Sequence, residues 1–188
     1  MEDLYIYINS IITLSEQGWS ALKKVLNLRQ VKKGEYLLHA GEISDALFYI
    51  EKGYCRAYYD YDGKTINTNF YFETEFATNI RSMKSGAGSE YFIRAEEEMR
   101  VIVFNKDKLY ELFSRSVEVD TMGRRLMEEI LARQEQQAHI FKLDSALERY
   151  KYMSGIQPQI LERVPLIHIA SYLGISLQTL TEIHNTQK

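Results

Sequence analysis

Between Ser176 and Glu182 the chain places Ser176, Gln178, Thr179, Thr181 and Glu182, an amide, three hydroxyls and a carboxylate within two helical turns. Those groups suit the edges of DNA bases. An amide bonds adenine bidentately, a threonine touches a phosphate or a thymine methyl, and a carboxylate accepts from cytosine. The flanking residues favour the same use. Pro165 can open a short helix because the first helical residue has no intrahelical use for an N–H. Ile169, Ala170 and Leu173 then form an apolar face at three- and four-residue spacing. Gly174 stands where a left-handed turn must join a second helix, whose buried face is carried by Ile175, Leu180 and Ile183. This is the spacing of a DNA-reading helix-turn-helix; the plain alternative is a helical hairpin inside a core. Ser176–Asn185 contains no Arg or Lys, yet phosphate neutralisation supplies much of the affinity in a DNA complex. Arg149, Lys151, Arg163 and Lys188 are the nearby cations offered for backbone contacts.

The whole chain has 188 residues, 45% of them hydrophobic and 26% charged, with a formal net charge of −3. That length can bury a medium domain and a small one. The negative balance argues against a protein that coats nucleic acid by bulk charge, though not against a local reader. A single cysteine, Cys55, excludes an internal disulfide or a thiolate cluster. His39 is the only histidine of the strand-rich region, too few for a metal-bearing enzyme site, and Cys55 reads as a small core residue. No Ser/His/Asp set or paired carboxylates stand out, so the expectation is no enzyme, no cofactor and no metal. No apolar run approaches the roughly 20 residues of a membrane span, and the cytoplasm is the expected compartment.

Two amphipathic helices are expected at Leu4–Ile12 and Ser15–Leu26, the second capped by Ser15 and burying Trp19, Leu22, Val25 and Leu26. From Leu28 the period shortens. β-prone runs at Tyr36–Leu38, Leu47–Ile50, Arg56–Tyr59, Thr65–Phe72, Tyr91–Ala95 and Met99–Asn105 are divided by glycines beside charged residues. Such a run of short strands indicates an antiparallel barrel or jelly roll within an α+β chain. A short helix follows at Asp107–Phe113, and a long one covers Val117 to Phe141, with Val119, Met122, Leu126 and Ile130 on one stripe. That stripe can cover the chain's own roll or pair with a twin helix. Lys142-Leu143-Asp144 is the expected hinge, and Ser145 with Glu148 forms a capping box opening a helix to about Met153, stopped by Ser154-Gly155 and Pro158.

Residues 32–64, KKGEYLLHAGEISDALFYIEKGYCRAYYDYDGK, resemble the opening half of a cyclic-nucleotide-binding β-roll, with Gly34, Gly41 and Gly53 in that family's order around the Asp45–Ile50 strand. With the helix-turn-helix downstream, the chain is similar to the catabolite activator / fumarate–nitrate regulator (CRP/FNR) family of bacterial transcription factors. The resemblance implies a roll domain over 1–143, including a dimer helix at about 117–141 with Met122, Leu126 and Ile130 in its seam. It also implies a helix-turn-helix domain over 144–188, a homodimer on double-stranded DNA, and a small-molecule effector of unknown identity. In the family a Gly–Glu pair and an Arg ten residues on hold the cyclic phosphate. With Phe76 aligned to the family's Phe, the corresponding positions here are Thr78 and Asn79, then Ser89, followed by Glu90. Removing one partner of a buried charge pair costs roughly 3–5 kcal/mol, about 100-fold or more in affinity. The effector pocket is therefore expected to be degenerate toward cyclic AMP or GMP. Arg81 and Arg94 remain nearby. The family's usual recognition-helix arginines fall at Leu177 and Glu182. The alternative function is an interaction module that keeps the fold without reading DNA.

Overall fold

The computed structural model describes residues 1–187. Contacts divide the chain into two units, Met1–Arg56 with Tyr71–Ile130, and Ala57–Phe70 with the chain from Leu131 onward.

The first unit opens with α1 (Glu2–Ile11) and α2 (Glu16–Val25), the latter capped by Ser15, which accepts from Gly18 N at 3.0 Å. Leu26 does not extend α2 as its apolarity suggests. It begins strand β1 (Leu26–Val31), whose two ends are buried and whose middle is open, as an edge strand over a core requires. Strands β2 (Tyr36–Leu38) and β3 (Ala46–Lys52) follow. β4 (Cys55–Tyr61) and β5 (Lys64–Tyr71) lie largely in the second unit. The first then resumes with β6 (Phe76–Ala77), α3 (Ile80–Ser85), β7 (Phe92–Ala95) and β8 (Met99–Asn105). The sheet order β1-β8-β3-β6 centres on β8, antiparallel to β1 from Leu26↔Phe104 to Val31↔Met99 and to β3 from Ala46↔Asn105 to Lys52↔Arg100. β2 pairs antiparallel with β7. This is the jelly-roll, mixed helix-and-antiparallel-sheet architecture that the strand pattern indicates.

Helices α4 (Lys106–Arg115) and α5 (Val117–Ala138) follow the strands. The α5 stripe packs within its own chain. Val119, Met122, Leu126 and Ile130 are all buried, in one cluster with Leu4, Ile8, Leu22, Leu47, Tyr49 and Phe104. Met122, Leu126 and Ile130 therefore help to close the chain's own core. Gly123 of the same helix sits against Phe113, whose ring would lie 2.5 Å from an added Cβ. α3 was not apparent in the sequence; Asn79 caps it by accepting from Ser82 N at 3.0 Å, and Gly86 ends it in a left-handed conformation.

In the second unit β4 and β5 are joined through Asp62 and Gly63, both at positive φ (51° and 78°), the conformation that favours Asp-Gly in a two-residue hairpin. A 3-10 turn at His139–Lys142 leads to α6 (Ala146–Ile156), α7 (Gln159–Arg163), α8 (Leu166–Leu173) and α9 (Leu177–Thr186). The capping box is present: Ser145 Oγ accepts from Glu148 N at 3.1 Å while Glu148 accepts from Ser145 N at 3.1 Å. Gly155 does not stop α6, which runs on to Ile156. Phe70, Tyr150, Met153, Ile160, Ile169, Tyr172 and Leu180 form this unit's interior. Among the described residues no helix is long and apolar enough to cross a membrane.

Candidate nucleic-acid interface and the cassette of the roll

The helix pair is set by its turn. Gly174 adopts φ 66°, ψ 34°, and Ile175 N returns to Ala170 O at 3.0 Å, tying off the end of α8. An added Cβ at Gly174 would meet only Arg149 Nη1, at 3.6 Å. Glycine is needed there for its conformation rather than for space. Pro165 lies one place before α8, as its N-cap residue. Ile169, Ala170, Leu173 and Leu180 face inward, while Ile175 and Ile183 are half-buried.

On the outer face of α9, Gln178, Thr181 and Glu182 are exposed. Gln178 Nε2 donates to Glu182 Oε1 at 3.0 Å, one turn on. Thr181 Oγ1 donates back to Leu177 O at 2.8 Å. Ser176 caps the helix, accepting from Thr179 N at 3.0 Å, with its hydroxyl 2.8 Å from Thr179 Oγ1. The structure thus brings Gln178, Thr181 and Glu182 to one open surface and uses Ser176 and half-buried Thr179 to build the helix end. Of the offered cations, Arg149 is otherwise engaged: Nε donates to Leu143 O at 2.9 Å and Nη1 to Leu173 O at 3.1 Å, capping α8. Lys151 is exposed, Arg163 is half-buried, and Lys188 lies outside the described residues.

What flanks the pair is not legible in the sequence. The helix pair is tied to the β4–β5 hairpin: Ser171 Oγ donates to Thr65 O at 2.9 Å and accepts from Asn67 N at 3.0 Å. Asn67 Nδ2 donates to His168 O at 3.3 Å, and buried Gln157 donates to Phe70 O at 3.3 Å. Phe70 meets Tyr172 edge-on with ring centres 5.4 Å apart. A groove of about 720 Å³ lies between the hairpin turn and the start of α9, lined by Lys64, Ile66, Ile167, His168, Ser176 and Leu177 among others. The Asp62-Gly63 turn is visible in the sequence; the pairing of Ser171 with Thr65 and Asn67, a hundred residues away, is not.

In the roll, Thr78, Asn79 and Ser89 are buried and bonded to one another's surroundings. Thr78 Oγ1 donates to Ala46 O at 2.9 Å. Asn79 Nδ2 donates to Ser89 Oγ at 2.9 Å, and Ser89 Oγ donates to Tyr91 O at 2.6 Å. Ser89 also bridges through its backbone to Gly41 N and Glu42 O, each at 2.7 Å. Gly88 has to be small here, since a Cβ would lie 2.5 Å from Gly41 O. Glu90 is exposed and pairs with Arg81 at 2.8 Å across open side chains. Arg94 pairs with Glu96 at 2.8 Å, and Glu96 also holds the buried Arg56 at 2.6 Å. Cys55 is wholly buried, and that burial, followed by the Glu75 and Glu96 carboxylates, raises its thiol pKa well above the ordinary value. It is a protonated core side chain at neutral pH.

Residues 28–116 match the model of the cyclic nucleotide-binding domain family. Over those residues the roll is similar to the domains of that family. No curated protein is similar enough in sequence to match. Among solved structures, FixK2 from Bradyrhizobium japonicum superposes with a TM-score of 0.68 at 17% identity, covering 86% of this chain and 84% of that one. The c-di-GMP-responsive global regulator CLP of Xanthomonas campestris gives 0.65 at 14%, covering 92% and 91%. The Thermus thermophilus catabolite activator protein gives 0.56 at 14%, covering 94% and 84%. The fold of the whole chain is thus that of the CRP/FNR regulators. Within this roll, neutral Thr78, Asn79 and Ser89, the positions expected from the sequence to correspond to the cassette, bond to protein groups.

Proposed function

We propose that the protein is a CRP/FNR-type transcriptional regulator, a homodimer acting in the cytoplasm that binds double-stranded DNA through α8 and α9. The observation that carries this reading is the open face of α9 beyond a left-handed Gly174 turn, in a chain with the regulators' fold. Two-fold pairing lets two such helices read a palindrome, each half-site supplying part of the affinity. The roll is degenerate toward cyclic AMP: an anion in a partly buried site needs a cation and free N–H groups, whereas Asn79 and Ser89 bond to each other, and Arg81 and Arg94 to carboxylates. Any effector is then of another kind. The chain has no catalytic role in this reading.

The test is duplex binding on the sequence upstream of its own gene, followed through a salt titration. A DNA reader shows log affinity falling steeply with log salt. Absent or salt-insensitive binding favours an interaction module without DNA readout, a reading supported by the lack of Arg or Lys on α9 and by exposed Leu177 and Ile167 beside it. Glu182→Arg strengthens non-specific binding and steepens the salt slope by about one charge. Cyclic AMP leaves the melting temperature unchanged; clear stabilisation at modest concentration overturns the degenerate cassette.

A further inference from the structure

In the first unit, away from the cassette, a slot of about 60 Å³ lies between α4 and α5. Leu47 and Phe104 wall it from the sheet, Leu109 and Phe113 from α4, and Met122 and Leu126 from α5. Among the residues lining it Lys106 alone carries a charge, and it stands beside Tyr110. Tyr110 is 57% exposed, so that end is the mouth. Arg56, Arg81, Arg94 and Arg100 of the same unit each hold a carboxylate. Lys106 differs: among the described residues no carboxylate pairs with it. Its Nζ lies 5.9 Å from the centre of the Tyr110 ring and donates to Met83 O at 2.6 Å, a neutral carbonyl on α3. A half-buried cation at the mouth of an apolar slot complements an amphipathic anion. A charge-assisted hydrogen bond holds the head group, and the slot takes the tail out of water.

We propose that this slot binds a short straight-chain carboxylate, with its head group on Lys106 and its alkyl tail between α4 and α5. The volume sets the length of the tail. One water-sized probe occupies about 10–15 Å³, so the slot takes roughly four methylene-sized groups. A ring is too large for it, since a cavity that holds benzene measures about 150 Å³. Each methylene that enters tightens binding roughly fourfold, until the slot is full. The carboxylate also competes with Met83 O for Lys106, so occupancy is felt on α3, the helix that Asn79 caps. None of this depends on α9 meeting DNA.

The test is a titration of the full chain, carrying isotope-labelled methionine methyls read by NMR, with acetate, propanoate, butanoate, pentanoate and octanoate, and with pentanol and benzoate as controls. Met122 and Met127 line the slot and report on it directly. The expected result is that both methyls shift with one Kd, which falls about fourfold per added carbon up to pentanoate and then levels off. The Met83 methyl moves with them. Pentanol binds at least tenfold more weakly than pentanoate. Lys106→Met brings pentanoate down to the level of pentanol, and Lys106→Arg keeps the difference. The comparison of acid with alcohol is made on the wild type, so it decides the matter even where a variant does not fold. Equal binding of acid and alcohol, indifference to Lys106→Met, benzoate binding as tightly as pentanoate, or no shift at Met122 and Met127 with any of the acids overturns the proposal.

Discussion

The two contact units treat their polar groups in opposite ways. In the first, the charges close on themselves: Arg56 and Arg94 on Glu96, Arg81 on Glu90, and the neutral cassette of Asn79 and Ser89 on one another. In the second, the interior is tied off by Arg149 and Ser145, while Gln178, Thr181 and Glu182 stay open on α9. In the reading proposed above, a region of the first kind serves as a scaffold. A region of the second kind keeps surface available for a partner.

Substitutions can break or sharpen that contrast. The sharpest is Glu96→Ala, which removes the carboxylate that the buried Arg56 and Arg94 both bond to; by the cost of breaking a buried charge pair it destabilises by about 3–5 kcal/mol in chemical unfolding. Glu182→Ala in the second unit leaves the unfolding midpoint unchanged, and equal losses from the two would erase the distinction. Next, Leu126→Ala opens a cavity in the roll core and costs about 2–5 kcal/mol. That loss is the same at low and high protein concentration; a loss that depends on concentration would move the α5 stripe to a subunit seam. Ser171→Ala leaves Asn67 N without its acceptor and costs about 1–3 kcal/mol, and hydrogen exchange quickens along 64–70 before it does along β8.

The smallest effect is with pH. Backbone and side-chain hydrogen bonds from Ser145 hold Glu148 below its ordinary pKa of 4.5, and Ser15 does the same for Glu118. The unfolded chain therefore binds these protons more readily than the folded one. The contribution is complete above the ordinary carboxylate value and is lost as pH falls through the lowered ones. Acid titration of the Ser145→Ala and wild-type proteins, followed by melting temperature, should converge at low pH.

Short-range grammar made much of this legible in advance. The strands from Tyr36 to Asn105, the Ser145–Glu148 box and the Gly174 turn follow from alternation, capping and backbone permission, all local effects. Leu26 misled because its apolarity suits either a helix end or a strand start, and pairing with Phe104 decides. The stripe on α5 was plain, but a stripe does not announce what covers it; Leu4 and Ile8 from α1 do. Likewise the residues of the cassette could be named from alignment, while their mutual bonding depends on β-roll closure that brings Ser89 to Gly41. The candidate surface on α9 was readable as a residue set. The inward turn of the Thr181 hydroxyl was not, because rotamer choice belongs to the folded helix.

Because segment 57–70 is inserted in sequence between the two halves of the first unit yet packs with the helices after Leu131, neither unit is a contiguous length of polypeptide. Excising the chain from Asp144 onward would leave Ser171 and Gln157 facing solvent where Thr65, Asn67 and Phe70 belong. A tail fragment should thus be poorly ordered on its own, and a shift of the β4–β5 hairpin carries α8 along with it.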